Sequence, residues 1–208
     1  MRRLLLILLF LCGGTQAQQP DFVVTLLGTG SPAPVMTRFG PGTLVQVGGQ
    51  TLLFDAGRGV TQRLMQSRVR LGEADKLFIT HLHSDHVIGI PDLWLTGWLE
   101  ATYAQRKGPF RVFGPAGTAG MMQGLQRAYD WDIKTRIADQ DLKPESIAVE
   151  TNHFVLLGTP AIPAMKEDEV LAMTRKTYDG PLVLGEDLMA FRISTTGVEI
   201  VRTPQSGK

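Results

Sequence analysis

The sequence has little of several features that define common protein classes. Cys12 is the only cysteine among 208 residues, which excludes a disulfide scaffold within the chain. The apolar run from Leu4 to Leu11 has eight residues, far short of the roughly 20 that a membrane-spanning helix needs. Neither sign of charge dominates, with 21 basic and 20 acidic residues, so no basic field indicates nucleic-acid binding. Stability must therefore come from a hydrophobic core and from any bound metal.

The N-terminus has the pattern of a secretory signal peptide. The charged start Met1-Arg2-Arg3 precedes the apolar run, and small and polar residues follow it. We expect residues 1–17 to be removed, which leaves a single domain of about 190 residues, 18–208. The expected location is then periplasmic or secreted. Lipid attachment at Cys12 is a minor alternative, because such a cysteine normally follows a small residue and here follows Leu11.

The rest of the chain alternates short apolar strands with amphipathic helices. The predicted strands cover residues 22–27, 43–47, 50–54, 76–80 and 110–113, and the predicted helices cover 60–66, a segment starting at 91, and 117–129. The pair Gly48-Gly49 between two of the strands predicts a tight hairpin. This alternation predicts an α/β layered domain rather than a sandwich of sheets alone.

Three of the four histidines fall, together with an aspartate, in the six residues His81-Leu82-His83-Ser84-Asp85-His86. Imidazole nitrogens and a carboxylate suit zinc or a similar divalent ion, and four such groups on one turn indicate two metals side by side. An isolated histidine is more often a core or surface residue than a ligand. Clustering disfavours that alternative, because the groups gain little from proximity without a cation.

Several motifs resemble, in order and spacing, those of the metallo-β-lactamase superfamily, in its ribonuclease Z and arylsulfatase-like branch. The segments that carry this resemblance are Gly28-Thr29-Gly30-Ser31-Pro32, Phe54-Asp55-Ala56-Gly57, Thr80 to His86, Asp92 to Gly97 and Phe113 to Thr118. The match covers residues 22 to about 140.

The resemblance implies an αββα sandwich with two divalent metal ions, most simply zinc, at one edge of its sheets. It places His81 and His83 on the first metal, Asp85 and His86 on the second, and Asp55 beside a ligand imidazole whose orientation it fixes. Asp85 could also orient the attacking water and accept its proton. The implied activity is hydrolysis of a phosphodiester, sulfate ester or related ester by metal-activated water. A turn-capping role is the alternative for Asp55.

The C-terminal part departs from the family pattern. That pattern continues with a further histidine, a bridging aspartate and a last histidine, whereas only His153 remains downstream. His153 ends a predicted strand and resembles the last of these ligands, so we expect it to bind metal; a surface position is the alternative. Asp141, Glu145, Glu150 or Asp179 could replace the lost ligands, and nothing in the sequence selects among them.

The lost ligands coincide with an expected internal deletion near residues 143–150. Family members carry on the order of a hundred more residues there, within a domain-sized chain. A sheet without those strands would expose edges and half of a core. The alternative to an active hydrolase is therefore a catalytically inactive, truncated metal-binding remnant.

The expected substrate is a small-molecule ester, and nucleic acid is not expected as a partner. An exported protein is separated from transfer RNA, and a near-neutral chain lacks the positive field that phosphate backbones attract. Gly28-Thr29-Gly30 does not continue to a full GxGxxG turn, which argues against a dinucleotide-binding domain.

Overall fold

The computed structural model describes residues 22–153, 168, 171–172, 175–176, 186–194 and 197–202. Its strands are β1 (Phe22–Gly28), β2 (Gly42–Val47), β3 (Gln50–Phe54), β4 (Lys76–Phe78), β5 (Phe110–Gly114), β6 (Val149–His153), β7 (Met189–Ser194) and β8 (Gly197–Arg202). Its helices are α1 (Val60–Gln66), α2 (Ser84–Val87), α3 (Ile90–Gly97), α4 (Thr118–Ala128), α5 (Asp130–Gln140) and α6 (Pro144–Ile147). The signal peptide expected at 1–17 lies outside these ranges. Within them, no helix has the length and apolar character that crossing a membrane requires.

The strands form one eight-stranded mixed sheet in the order β6-β5-β4-β3-β2-β1-β7-β8. Strands β3, β4, β5 and β6 pair in parallel with their neighbours. The pairs β3–β2, β2–β1, β1–β7 and β7–β8 are antiparallel. Parallel strands require crossover connections, which the helices supply. Because the carboxyl ends of β3, β4, β5 and β6 lie at one edge, whatever follows these strands can meet there.

The β2–β3 hairpin was correctly predicted from its Gly-Gly turn. Gly48 and Gly49 both have positive φ, 52° and 74°, which is the backbone that a two-residue turn between twisted strands requires. A side chain at either position would be strained. The turn fixes the pairing of β2 with β3 and hence the position at which β3 ends.

One face of the sheet carries the core. Leu44, Leu53, Leu77 and Val112 lie side by side on four adjacent strands and are fully buried. Helix residues complete this core, namely Val60, Leu64, Ile90, Leu93, Trp94 and Met122. Since side chains alternate between faces, the residue after each strand-centre leucine or valine points to the other face.

That opposite face carries a row of phenylalanines. The rings of Phe54 and Phe78 stack with centroids 5.0 Å apart, and those of Phe78 and Phe113 with centroids 4.6 Å apart. The prediction of an α/β domain is confirmed, with helices packed on one face of a mixed sheet. The described residues hold this one sheet, which corresponds to half of the αββα sandwich.

Two helices that the sequence did not predict lie before and within the region of the expected deletion, 143–150. Helix α5 covers 130–140, and α6 leads through Ala148 directly into β6, which pairs in parallel with β5. The predicted strand at 76–80 is shorter than expected, because β4 ends at Phe78. The two residues after it turn into the candidate site.

Candidate active site

The site begins where the parallel strands β3 and β4 end. Asp55 directly follows β3, and the histidine loop, residues 81–86, comes shortly after β4. Backbone hydrogen bonds hold this loop against the end of β3: the amide of Ala56 donates to the carbonyl of His86, and the amide of Gly89 donates to the carbonyl of Ala56, both at 2.8 Å. The sheet edge therefore sets the position of the loop.

Asp55 is a buried residue at the centre of a hydrogen-bond network. It is 6% exposed and lies in the left-handed region at φ 59°, where aspartate is better tolerated than most residues. Its carboxylate accepts from the amide of Thr80 at 2.8 Å, from the hydroxyl of Thr80 at 2.8 Å, and from Nδ1 of His86 at 2.7 Å. Because an ionised carboxylate only accepts, Nδ1 of His86 carries the proton and Nε2 faces away from Asp55.

Thr80 extends the same network to a second imidazole. Its hydroxyl has one hydrogen, which it donates to Asp55, so towards Nδ1 of His81, 3.0 Å away, it can only accept. Nδ1 of His81 then carries a proton, and its Nε2 is free. Sequence reasoning missed Thr80; a hydroxyl residue directly between a strand and a histidine motif is the feature that could have indicated it.

The other loop side chains gather around these two rings. The His81 ring centroid is 4.0 Å from that of His86 and 4.6 Å from that of His83. A carboxylate oxygen of Asp85 lies 3.7 Å from Nε2 of His86. The structure thus brings together the five residues that the sequence singled out at this edge, including Asp55.

The two oriented imidazoles have opposite pKa shifts. Burial lowers the pKa of His81, and the neighbouring His86 and His83 lower it further, so this ring is neutral at pH 7. Burial also opposes the charged form of His86, but its hydrogen bond to Asp55 and the charges of Asp55 and Asp85 outweigh this effect and raise its pKa above 6.5. A neutral imidazole is the form that binds metal.

We predict that Asp55→Asn lowers the pKa of His86 in the metal-free protein, because the variant loses the charged acceptor at Nδ1. With a raised folded-state pKa, the contribution of protonated His86 to stability is fully present below the unfolded pKa of about 6.5. It is lost as the pH rises through the folded value. NMR titration of the imidazole protons measures the pKa, and urea unfolding at several pH values measures the stability difference.

A matched control for that variant is Asp75→Asn. Asp75 pairs with Lys76 and Arg111, at the start of β4 and away from the histidine loop. The Asp75→Asn variant should leave the pKa of His86 unchanged. Equal shifts in the two variants would contradict the assigned contact.

The donor chemistry of the loop fits a divalent metal, but the described residues do not complete a cage. The imidazoles of His81 and His86 are each fixed by a hydrogen bond at Nδ1, which leaves Nε2 available to a metal. Metal-binding histidines are commonly oriented in this way, through the ring nitrogen that does not bind the metal. Within the ranges described, no three histidine, cysteine, aspartate or glutamate side chains converge in an arrangement that could hold a metal ion. A zinc site normally has three or four protein ligands.

The remaining predicted ligand, His153, lies on the same sheet edge. It is the last residue of β6 and pairs with Gly114 at the end of β5. Two strand spacings of about 4.8 Å separate β6 from β4, so its backbone is about 10 Å across the sheet from the strand that leads to the histidine loop. Its side chain lies outside the described residues, and so does Asp179. Glu150, one of the alternatives, pairs instead with Arg111 at 3.3 Å.

Comparison with known proteins reveals relatives over most of the chain. Residues 22–109 match the family model described as Anti-Pycsar protein Apyc1. Ribonuclease Z of Mycolicibacterium gilvum is 44% identical over 181 residues, covering 86% of this chain and 59% of the relative. Ribonuclease Z of Mycobacterium bovis BCG is 35% identical over 178 residues, with 86% and 60% covered. The crystal structure of the human short-form tRNase Z superimposes with a TM-score of 0.48 at 29% identity, over 62% of this chain and 43% of that one.

The sequence relatives, the α/β fold and the histidine loop together define a protein of the metallo-β-lactamase superfamily. Within that superfamily the sequence relatives indicate the ribonuclease Z branch. The resemblance drawn from the motifs is therefore confirmed for the superfamily, and its arylsulfatase-like part stays a prediction. The chain spans about 60% of the length of these relatives.

Proposed function

We propose that this protein is a metal-dependent hydrolase that cleaves phosphodiester bonds with an activated water. The observation that carries the proposal is the pair of imidazoles, His81 and His86, whose Nδ1 atoms are held by Thr80 and Asp55, which leaves their Nε2 atoms as the nitrogens available to a metal. Sulfate esters and related esters are further candidate substrates.

His81, His83, Asp85 and His86 would hold the metal, with His153 as a further ligand. Bound divalent ions, zinc being the first candidate, supply a Lewis acid and lower the pKa of a coordinated water. Asp55 keeps the His86 ring in one tautomer and one orientation. Asp85, whose side chain is 11% exposed, accepts a proton from the attacking water at one carboxylate oxygen. This scheme needs no nucleophilic side chain.

The substrate class includes RNA as well as small esters. The relatives carry the name Ribonuclease Z, which weighs against the expectation that nucleic acid is not a partner. The near-neutral charge and the expected signal peptide argue for a small ester instead of RNA.

We propose periplasmic or secreted localisation. The test is to compare the N-terminus of the exported protein with that of the cytoplasmic protein.

The purified chain is expected to contain zinc and to hydrolyse bis-p-nitrophenyl phosphate, since a divalent ion held by these residues would stabilise the negative charge of the diester. Removal of metal with EDTA and the variant His83→Ala should each abolish turnover, because His83 contributes a ligand while its side chain is exposed and not part of the core. A short RNA and p-nitrophenyl sulfate, assayed in parallel, separate the substrate classes. Turnover that survives both EDTA and His83→Ala would overturn the proposal.

A second candidate function is a metal-binding remnant without catalysis. Two observations favour it: no three donors of the described residues are arranged so that they could hold a metal ion, and the chain spans about 60% of its relatives. It predicts weak binding of a single ion and no turnover. Zinc titration that ends at one ion per chain, with no hydrolysis of any of the three substrates, would select this candidate.

A further inference from the structure

Asp187 lies more than a hundred residues along the chain from the histidine loop, yet its carboxylate is buried and fully engaged. Its side chain has no exposed surface. One oxygen accepts from the amide of Thr29 at 2.7 Å and from the Thr29 hydroxyl at 2.8 Å. The other accepts from the amide of Phe39 at 2.7 Å and from the guanidinium of Arg63 at 3.0 Å.

Arg63 closes this cluster from the helix side. It lies in α1, is buried, and places its guanidinium carbon 4.1 Å from the centroid of the Phe39 ring. Asp187 precedes β7, which pairs with β1. The carboxylate therefore joins the end of β1, the loop that ends at Phe39, helix α1 and the C-terminal strand at one point.

The residues after Phe39 connect this point to the site. The amide of Gly40 donates to the carbonyl of Arg58 at 3.0 Å, and the amide of Gly57 donates to the carbonyl of Pro41 at 2.9 Å. Gly57 in turn packs against the histidine loop: a Cβ built on it would lie 2.6 Å from the carbonyl oxygen of Asp85. Each of these contacts is between backbone atoms. A displacement of residues 39–41 would therefore displace Gly57, which packs against the backbone of Asp85.

We propose that Asp187 is a positioning residue for the active site, acting through Phe39, Gly40 and Pro41 on Gly57 and the backbone of Asp85. The expected effect on catalysis rests on the proposed function. The expected effect on the position of the loop rests only on the hydrogen bonds and the close packing just described. Asparagine cannot replace the aspartate, because its amide nitrogen would face two donors on one side of the group. Loss of such outer support of metal ligands typically costs about 10- to 100-fold in metal affinity or activity.

The single variant Asp187→Asn leaves Arg63 as an unpaired buried charge, which is strongly destabilising by itself. The decisive variant is therefore the double change Asp187→Asn with Arg63→Met, which removes both charges. If Asp187 served only to neutralise Arg63, the double variant would regain both stability and function. If Asp187 positions residues 39–41, the double variant folds but remains about 10- to 100-fold weaker in zinc affinity and in kcat.

Three measurements on the full chain decide between these outcomes: zinc affinity by calorimetry, kcat on bis-p-nitrophenyl phosphate, and amide hydrogen exchange of the metal-free protein. We expect faster exchange at the amides of Gly40, Ala56 and Gly57 in the double variant, because these bonds depend on the position of the loop. The matched control is Leu142→Ala, which destabilises the core away from this cluster and should leave these amides protected.

Unchanged exchange at these three amides would overturn the proposal whether or not the protein is an enzyme. Faster exchange with unchanged zinc affinity would also overturn it, because the loop would then not position the site. If the wild-type chain binds zinc without turnover, the proposed hydrolase activity fails, while zinc affinity and exchange still decide the role of Asp187.

Discussion

Replacing His86 with alanine is expected to lower the hydrolysis of bis-p-nitrophenyl phosphate by about 1,000-fold or more and to weaken zinc binding. A bound metal contributes several kcal/mol to transition-state stabilisation, and each 1.36 kcal/mol corresponds to a factor of ten in rate. The fold should survive, because the hydrogen bonds that join Ala56 to His86 and to Gly89 run through the backbone. Steady-state kinetics and calorimetric zinc titration measure the two effects.

The variant Asp55→Asn gives the graded comparison for His86→Ala. Asp55 holds the His86 ring but is placed too deep in the sheet edge to act on the substrate, with 6% of its surface exposed. The Asp55→Asn variant should lower turnover by about 10- to 100-fold, as expected when the hydrogen-bond partner of a metal ligand is lost. Equal losses for the two variants would contradict this order of roles, and unchanged turnover in His86→Ala would refute the metal site itself.

The local features of the site could be predicted from the sequence because they depend on near neighbours. The helix at Val60–Gln66 and the hairpin with its Gly48-Gly49 turn were predicted with the observed bounds or within one residue. The histidine loop and Asp55 follow adjacent parallel strands, so the periodic pattern of those strands was sufficient to place them on one edge. Here local propensity, turn chemistry and packing agree.

Features that depend on distant or weakly patterned residues could not be predicted. Helix α5 was missed because it has no fully buried residue and only Ile133 and Ile137 pack against the core, a narrower apolar stripe than the one that marks a core helix. The contact of Asp187 with Thr29 spans 158 positions and that with Arg63 spans 124, and no local pattern reports such a pair. The ligand role of His153 stays a prediction, since only its backbone position is described.

The ordering of the site also depends on the core that carries its strands, and Trp94 is one of the largest side chains buried in that core. Trp94 is fully buried in α3, the helix that follows the histidine loop. Its indole nitrogen donates to the carbonyl of Ile147 at 2.9 Å, at the end of α6 and two residues before β6 begins. The buried guanidinium of Arg106, whose pKa burial lowers to about 10, donates to the carbonyls of Trp94 and Ser146.

We therefore expect Trp94→Ala to reduce the free energy of unfolding by about 3–5 kcal/mol, the typical cost of emptying a buried aromatic site. A domain of this size has about 5–15 kcal/mol in total, so the variant should unfold at a much lower urea concentration or not fold at all. Trp94→Phe keeps most of the ring and leaves the Ile147 carbonyl without its donor, which costs about 1–3 kcal/mol. Urea unfolding followed by circular dichroism measures both.

Trp131→Ala is the matched control, since Trp131 lies in α5 with 78% of its surface exposed. An exposed position of this kind should change stability by no more than about 0.5 kcal/mol. Similar losses for Trp94→Ala and Trp131→Ala would mean that the helix layer does not form one core with the sheet. Because α3 and α6 flank the segments that lead from the histidine loop and to His153, that result would also remove the physical basis for bringing those two parts of the site to one edge.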